Sequence, residues 1–395
     1  MQFYPSLPTF SDDPFSASSS WLERLIRWVN ICSGKNALEG RRLLLEEAGV
    51  LFQSLGAEIE SFETDSQAPA LIARLHPQAS KKILLFGHLD TVFETNHPFQ
   101  KAWIEENRLR GPGVCDMKAG VLIMYEALKH YLEKQDKTKA PSLGFTVVLN
   151  SDEEIGSAIS AQLWKRLAKG HFCALGFEPS FSTKQAPRGF ITERLGSCNL
   201  QVSFKGKSAH VGRNSQEGAS ALHGACKWWC QVEQSLKETP GLFFNLGKME
   251  GGSGSNVVAE HARLDINARV ADENTFHLFF NTLHLSAQGL DPRVSMDIEI
   301  KSQRPAKTAT PSSLKLAELA LETAKSLGLA CSLQKTAGVC DGNNIQAEGV
   351  PTLDNLGAIG GGLHSDQEWI DLDNVEPQIN LVATLFEKLT LFNAL

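Results

Sequence analysis

Lys82-Ile83-Leu84-Leu85-Phe86-Gly87 holds a short, unbroken apolar run after its lysine, closed by a glycine. That is the pattern of a strand buried on both faces, as in a parallel sheet covered by helices. The form returns in Gly144-Phe145-Thr146-Val147-Val148-Leu149, in Cys173-Ala174-Leu175-Gly176-Phe177 and, shorter, in Val350-Pro351-Thr352-Leu353. Around these runs apolar residues recur at helical spacing over Trp21 to Ile31, Gly40 to Leu55, Met117 to Leu132, Ala158 to Lys169 and Ser312 to Leu327. Strands alternating with helices predict an α/β fold: a mostly parallel sheet sandwiched by helices.

One block breaks the rhythm. Asn199-Leu200-Gln201-Val202-Ser203-Phe204 and Arg263-Leu264-Asp265-Ile266-Asn267-Ala268-Arg269-Val270 alternate apolar with polar, the signature of a sheet with one wet face. Two helical stretches, near Ala219 to Leu236 and Glu273 to Ser286, accompany them. We therefore expect an α+β domain over 191–303, inserted into a discontinuous domain made of 1–190 and 304–395. Two domains also suit a chain of 395 residues.

With 42% hydrophobic and 21% charged residues there is ample material for packed cores. The net charge of −7 and the lack of a long basic run argue against a nucleic-acid partner. The start, Met1-Gln2-Phe3-Tyr4-Pro5, has no basic-then-apolar leader pattern, and no apolar stretch is long enough to span a bilayer, so the expectation is a cytoplasmic protein without a membrane partner. Eight cysteines without a CxxC pair read as reduced, mostly buried thiols. Cys226 and Cys230, four apart on a helix, are read as core packing.

Chemistry gathers where the buried runs end. The first leads into Gly87-His88-Leu89-Asp90, an imidazole at a strand terminus with a carboxylate two residues on. Metal-ligating histidines usually pass their second ring N–H to such an oxygen, so His88 reads as a ligand with Asp90 behind it. Asp116, in Gly111-Pro112-Gly113-Val114-Cys115-Asp116-Met117-Lys118, stands at a predicted helix start and could bridge two ions. After the second run come Asp152-Glu153-Glu154; adjacent glutamates point different ways, so one can hold a metal while the other acts as general base. Glu178 follows the third run, and His364 sits in the glycine loop Gly360-Gly361-Gly362-Leu363-His364. Each alone has a plainer reading: a structural histidine, a helix cap, a solvated acidic turn. Together, at the mouths of strands in one parallel domain, they form an N/O ligand set suited to zinc or another divalent first-row ion.

These residues carry a family resemblance. GHLDTV at 87, GPGVCDMKAG at 111, NSDEEIGS at 150, FEPS at 177, GKSAHVG at 206, GGSGSNVVAE at 251 and GGGLHSDQE at 360 resemble metallopeptidases of the M20 group, the family of carboxypeptidase G2, acetylornithine deacetylase and aminoacylase. The resemblance implies a zinc-peptidase-like catalytic domain with two divalent ions per subunit, zinc first and cobalt or manganese as substitutes. His88 and Glu178 would hold one ion, Glu154 and His364 the other, with Asp116 bridging. Glu153 would be the base and Asp90 an outer support. The family often has a cis peptide after the bridging aspartate.

By the same resemblance the inserted block corresponds to a lid and dimerisation domain. It implies a homodimer in which His210 reaches the partner's site and stabilises an oxyanion. Asn256 and Arg269 resemble positions that grip a substrate carboxylate, for which an Arg fork is suited; a surface salt bridge is the plainer account of Arg269. The implied activity is hydrolysis of an amide bond next to a free carboxylate, as in a carboxypeptidase G2-like exopeptidase releasing a C-terminal, glutamate-like residue from a small peptide. N-acyl amino acid deacylation is the alternative, and a metal-stabilised binding protein a lesser one. Ala119 stands where the family frequently has glycine, and Ser255 precedes Asn256 where many relatives carry arginine; both departures touch the substrate pocket.

Overall fold

The computed structural model describes residues 20–62, 68–136, 138–180 and 188–393. Along the chain, α1 (Trp21–Val29) opens on a capping box in which Ser20 accepts from the Glu23 N–H and Glu23 answers the Ser20 N–H. Then come α2 (Leu38–Ser54), β1 (Glu58–Phe62), β2 (Ala70–Leu75), β3 (Lys82–His88), β4 (Trp103–Glu105), β5 (Arg108–Arg110) and α3 (Ala119–Glu133). β6 (Gly144–Asn150), α4 (Ser160–Leu167), β7 (Cys173–Gly176) and β8 (Arg188–Arg194) follow. The next stretch holds β9 (Gly196–Lys205), α5 (Val211–Asn214), α6 (Ala221–Leu236), β10 (Leu242–Gly251), β11 (His261–Val270), α7 (Glu273–Leu285) and β12 (Ser295–Arg304). The chain closes with α8 (Pro311–Ser326), β13 (Cys331–Thr336), α9 (Asp341–Ala347), β14 (Thr352–Leu353), β15 (Gly360–Gly361), β16 (Trp369–Asp371) and α10 (Val375–Leu391).

Contacts divide the chain into two compact units: 1–193 with 309–335 and 340–395, and 194–308 with 336–339. Against the sequence expectation of an insert over 191–303, the second unit ends five residues later and includes a short return at 336–339. β12 explains the shift, since its ladder with β9 runs on through Arg304, opposite Ser197.

In the first unit the main sheet has the order β1-β2-β6-β3-β7-β14. Its four strands β6, β3, β7 and β14 are parallel, as expected. β1 and β2 extend it in antiparallel fashion, an edge that the sequence reading passes over. β3 and β6 are buried nearly throughout, and successive side chains go to opposite sides. Ile83 and Leu85 join Phe145, Val147 and the inner faces of α1, α2, α3, α8 and α10. Leu84 and Phe86 join Val148, Trp164 of α4 and Ile345 of α9. Both faces are thus covered by helices, which is why the strands read as continuous apolar runs. No helix among the described residues is long and apolar enough to cross a membrane.

α3 begins at Ala119 and packs close to the end of β7. A Cβ on Gly120 would collide with the Phe177 backbone carbonyl. Gly120→Ala must therefore push the helix off the strand end that precedes Glu178, at a cost of about 1–3 kcal/mol. A chemical-denaturation midpoint equal to that of the wild type would refute this close approach.

The second unit is an antiparallel sheet, β10-β11-β9-β12, backed by α6 and α7. Alternation places Leu200, Val202, Phe204, Leu264, Ile266 and Ala268 in the core with Trp228 and Phe279, leaving Arg263, Asp265, Asn267 and Arg269 on the other face. The core reading of Cys226 and Cys230 is corrected here: both are exposed. α6 buries Ala225, Trp228, Val232 and Leu236. At 100° per residue Cys226 and Cys230 fall about a third of a turn from that stripe. All eight cysteines are free.

Candidate metal centre

β3 and β6 run in parallel with His88 in register with Asn150, so the imidazole stands level with the start of the acidic turn. β7 pairs Gly176 with Phe86, which brings Glu178 to the same end of the sheet. This is the carboxyl edge, where open parallel sheets place their sites.

His88 is 1% exposed. Its Nε2 lies 3.2 Å from Asp116 Oδ1. Its Nδ1 lies 3.1 Å from the Asp90 backbone carbonyl and 3.4 Å from the Asp90 carboxylate, so the carbonyl is the nearer partner. The Asp90 carboxylate instead accepts the N–H groups of Glu153 at 3.3 Å and Glu154 at 2.9 Å. One residue therefore orients both the imidazole and the turn that carries the two glutamates.

Asp116 is not a helix cap. It lies in a wound segment, Val114–Lys118, ahead of α3, and its peptide bond to Met117 is cis. There the carboxylate faces two ways: Oδ1 toward His88, and Oδ2 at 3.4 Å from His364 Nε2. The same His364 nitrogen lies 3.2 Å from Glu154 Oε2. His364 adopts a left-handed backbone, φ 59°, a conformation that non-glycine residues take mainly where surrounding structure holds them. Ligand atoms of His88, Asp116 and Glu154 lie within 4.8 Å of one another, the grouping among the described residues suited to a metal ion. Glu153 and Glu178 are each 8% exposed, and the Glu178 charge is felt at His88.

Electrostatics fit a cation here. Burial raises the Glu154 carboxyl above its ordinary range, and the charges of Asp116 and Glu153 add to that. Burial works against protonated His88, yet hydrogen bonds to Asp116 and Asp90 hold its pKa well above normal. His364 is raised to about 10 by hydrogen bonds to Asp116 and Glu154. The acids thus draw positive charge inward, and two imidazoles with two or more carboxylates are a good zinc donor set.

A sign follows. Both imidazole pKa values are raised, so both rings hold protons at neutral pH that an entering ion must displace. Zinc affinity should therefore rise from pH 6 to pH 8, by up to about tenfold per unit for each proton released. Calorimetry in buffers of different ionisation enthalpy measures the released protons; equal affinity at both pH values would contradict it.

The remaining expected residues lie in the second unit. His210 is exposed and caps α5, its Nδ1 accepting the Gly212 N–H. Asn256 is its neighbour: the Asn256 carbonyl accepts the Val211 N–H, and His210 bridges to Val257. Arg269 is half-buried on β11, with Nη1 lacking a hydrogen-bond partner among the described residues. Burial, with Arg304 nearby, pulls its pKa down. Arg269 and Arg304 both stand in register with Ser197, one on either side of β9.

Two supporting residues escape the sequence reading. Arg41, 3% exposed on α2, donates to the Ser151 carbonyl at 2.8 Å and the Lys35 carbonyl at 3.0 Å, bracing the acidic turn. Glu368 binds the Asp116 segment from below. It lies four residues after His364 within a quoted motif, yet nothing local announces its partner. A cavity of about 940 Å³, lined by Ser54, Tyr125 and Lys129 among others, includes none of the candidate residues. Donor chemistry marks the site here, not concavity.

A family model described as peptidase family M20/M25/M40 matches residues 84–388. Carboxypeptidase G2 from Pseudomonas sp. (strain RS-16) is 26% identical over 377 residues, covering 92% of this chain and 88% of its own. Succinyl-diaminopimelate desuccinylase from Delftia acidovorans is 27% identical over 331 residues, 79% of this chain and 82% of that protein. Among solved structures, an M20 family metallo-carboxypeptidase from Sulfolobus solfataricus has a TM-score of 0.74 at 16% identity, over 95% of this chain and 100% of that one. Aminopeptidase PepT from Bacillus cereus has a TM-score of 0.73 at 21% identity, over 93% and 97%. At those identities the structures speak for the fold.

Proposed function

The chain belongs to peptidase family M20/M25/M40 and is a hydrolytic enzyme, and on that premise we propose that it cleaves an amide bond adjacent to a free carboxylate, as an exopeptidase releasing a C-terminal, glutamate-like residue. The observation that carries the reading is Asp116, whose two oxygens face two histidines, one at the end of β3 and one in the loop between β15 and β16. A carboxylate so placed is built to lie between two cations. His88 and Glu178 would hold one ion, Glu154 and His364 the other, with zinc as the first choice and cobalt or manganese as substitutes. When bound, such ions supply Lewis-acid charge that makes water reactive at neutral pH and offsets negative charge on the substrate.

The chain's own residues do the rest. Glu153, held beside Glu154 by the Asp90 grip on both backbone N–H groups, takes the proton of the attacking water and returns it to the leaving nitrogen. Asp90 keeps the His88 ring oriented. Arg269 and Asn256 grip the substrate carboxylate, a role that the half-buried guanidinium, with Nη1 lacking a partner among the described residues, supports. His210, exposed and backed by Asn256, donates to the oxyanion of a partner subunit's substrate. The second unit would be lid and dimerisation domain; exposed Leu278 and Leu285 on α7 are apolar positions that a second copy would cover. Eight free cysteines suit a reducing cytoplasm.

The similarity to a desuccinylase favours one other reading, deacylation of an N-acyl amino acid. A zinc-loaded panel separates the two: acylated and peptidic substrates ending in glutamate, N-succinyl and N-acetyl amino acids, and versions whose α-carboxylate is amidated. We expect the highest kcat/KM on glutamate-terminated substrates. Amidation should cost on the order of 10²-fold, the equivalent of a charged hydrogen bond worth about 3 kcal/mol. Preference for the N-acyl series moves the assignment to deacylase, and indifference to amidation removes the carboxylate grip.

A further inference from the structure

Glu368 is a carboxylate 1% exposed. Its oxygens are fully engaged by one short stretch of backbone: Oε2 accepts the Gly113 N–H at 2.9 Å, and Oε1 accepts those of Cys115 at 2.8 Å and Asp116 at 2.9 Å. The Glu368 carbonyl also accepts the Gly111 N–H at 3.3 Å. Those N–H groups lie between 111 and 116, in the turn leading into the wound segment and in its first residues, and an unpaired buried N–H is costly. Glu368 stands four residues after His364, directly ahead of β16, which pairs with β5.

We infer that Glu368 is a positioning residue that acts through Asp116, setting the bridging carboxylate and tying its segment to the His364 loop so that the two halves of the centre form together. The inference rests on the metal reading above. A neutral side chain would not serve. Three N–H groups converge on two oxygens, and a carboxamide in their place must turn its NH₂ toward at least one of the donors. Outer supports of this kind typically alter metal affinity by about 10- to 100-fold when removed.

The test uses full-length E368Q and E368D beside the wild type. In E368Q we expect a 10- to 100-fold rise in the apparent zinc dissociation constant, read by chelator competition. The visible spectrum of the cobalt-loaded protein should change, and kcat should fall with KM within about twofold. In metal-free protein, amide hydrogen exchange over 111–118 should be faster than in the wild type, a readout independent of any ion. E368D keeps the charge on a shorter reach and should fall between the two; if E368Q does not fold, E368D carries the same criteria. Zinc affinity, cobalt spectrum and exchange all within twofold of the wild type would overturn the inference. A loss of thermal stability with unchanged affinity would do so as well, reducing Glu368 to a structural brace. A wild-type protein that binds no divalent ion instead overturns the metal reading itself.

Discussion

Glu153→Gln is expected to lower turnover by roughly 10²- to 10⁴-fold, the usual contribution of a positioned general base, while leaving the divalent-ion content unchanged. The substitution is nearly isosteric, so the turn that holds Glu154 keeps both backbone bonds to Asp90. Only the ability to take and return a proton is lost. Metal analysis and steady-state kinetics on one preparation separate the possibilities. Full turnover at normal metal content would remove Glu153 from the role of base. Loss of metal together with activity would mean that the residue belongs to the ligand set.

Asp116→Ala should have a larger effect, because it withdraws the group that faces both histidines. With Oδ1 3.2 Å from His88 and Oδ2 3.4 Å from His364, one carboxylate ties the two ligand groups together. Without it the imidazoles and Glu154 have no common partner, so we expect bound ions to fall from two to one or none. Activity should drop by at least as much as in Glu153→Gln, on the order of 10⁴-fold. The backbone bonds from Gly113 and Cys115 to Glu368 do not depend on the Asp116 side chain, so the fold should survive. Elemental analysis of the purified variant decides the matter: two ions per chain would show that Asp116 does not bridge.

Much of the fold is legible in the sequence, for a definite reason. A strand covered on both faces must be apolar at every position, so the runs at 82–86, 144–149 and 173–177 announced themselves, and polar residues just beyond them stood out. Inside the second unit, alternation along 261–270 was equally plain because one face of that sheet is wet. What is not legible depends on orientation about an axis or on partners far along the chain. Cys226 and Cys230 share a helix face, but which face meets the sheet is decided by Trp228, packed in the core with its indole N–H donated to the Leu283 carbonyl. The antiparallel edge formed by β1 and β2 leaves no such mark although Ala70–Leu75 is mostly apolar, because pairing direction is not a property of the strand alone.

By itself, then, the sequence determined the layered α/β architecture, the alternating strands of a second, antiparallel sheet, and which polar residues follow the buried runs, since each follows from local periodicity and chemistry. Only the tertiary structure decided that Asp116 turns one oxygen to each histidine, and that Asp90 grips the glutamate turn with its carboxylate while its carbonyl meets His88. It alone placed Glu368, 252 positions from Asp116, under that residue's own N–H. Hydrogen bonds between distant segments leave no periodic trace, because each partner need only be polar and correctly placed once the core has packed.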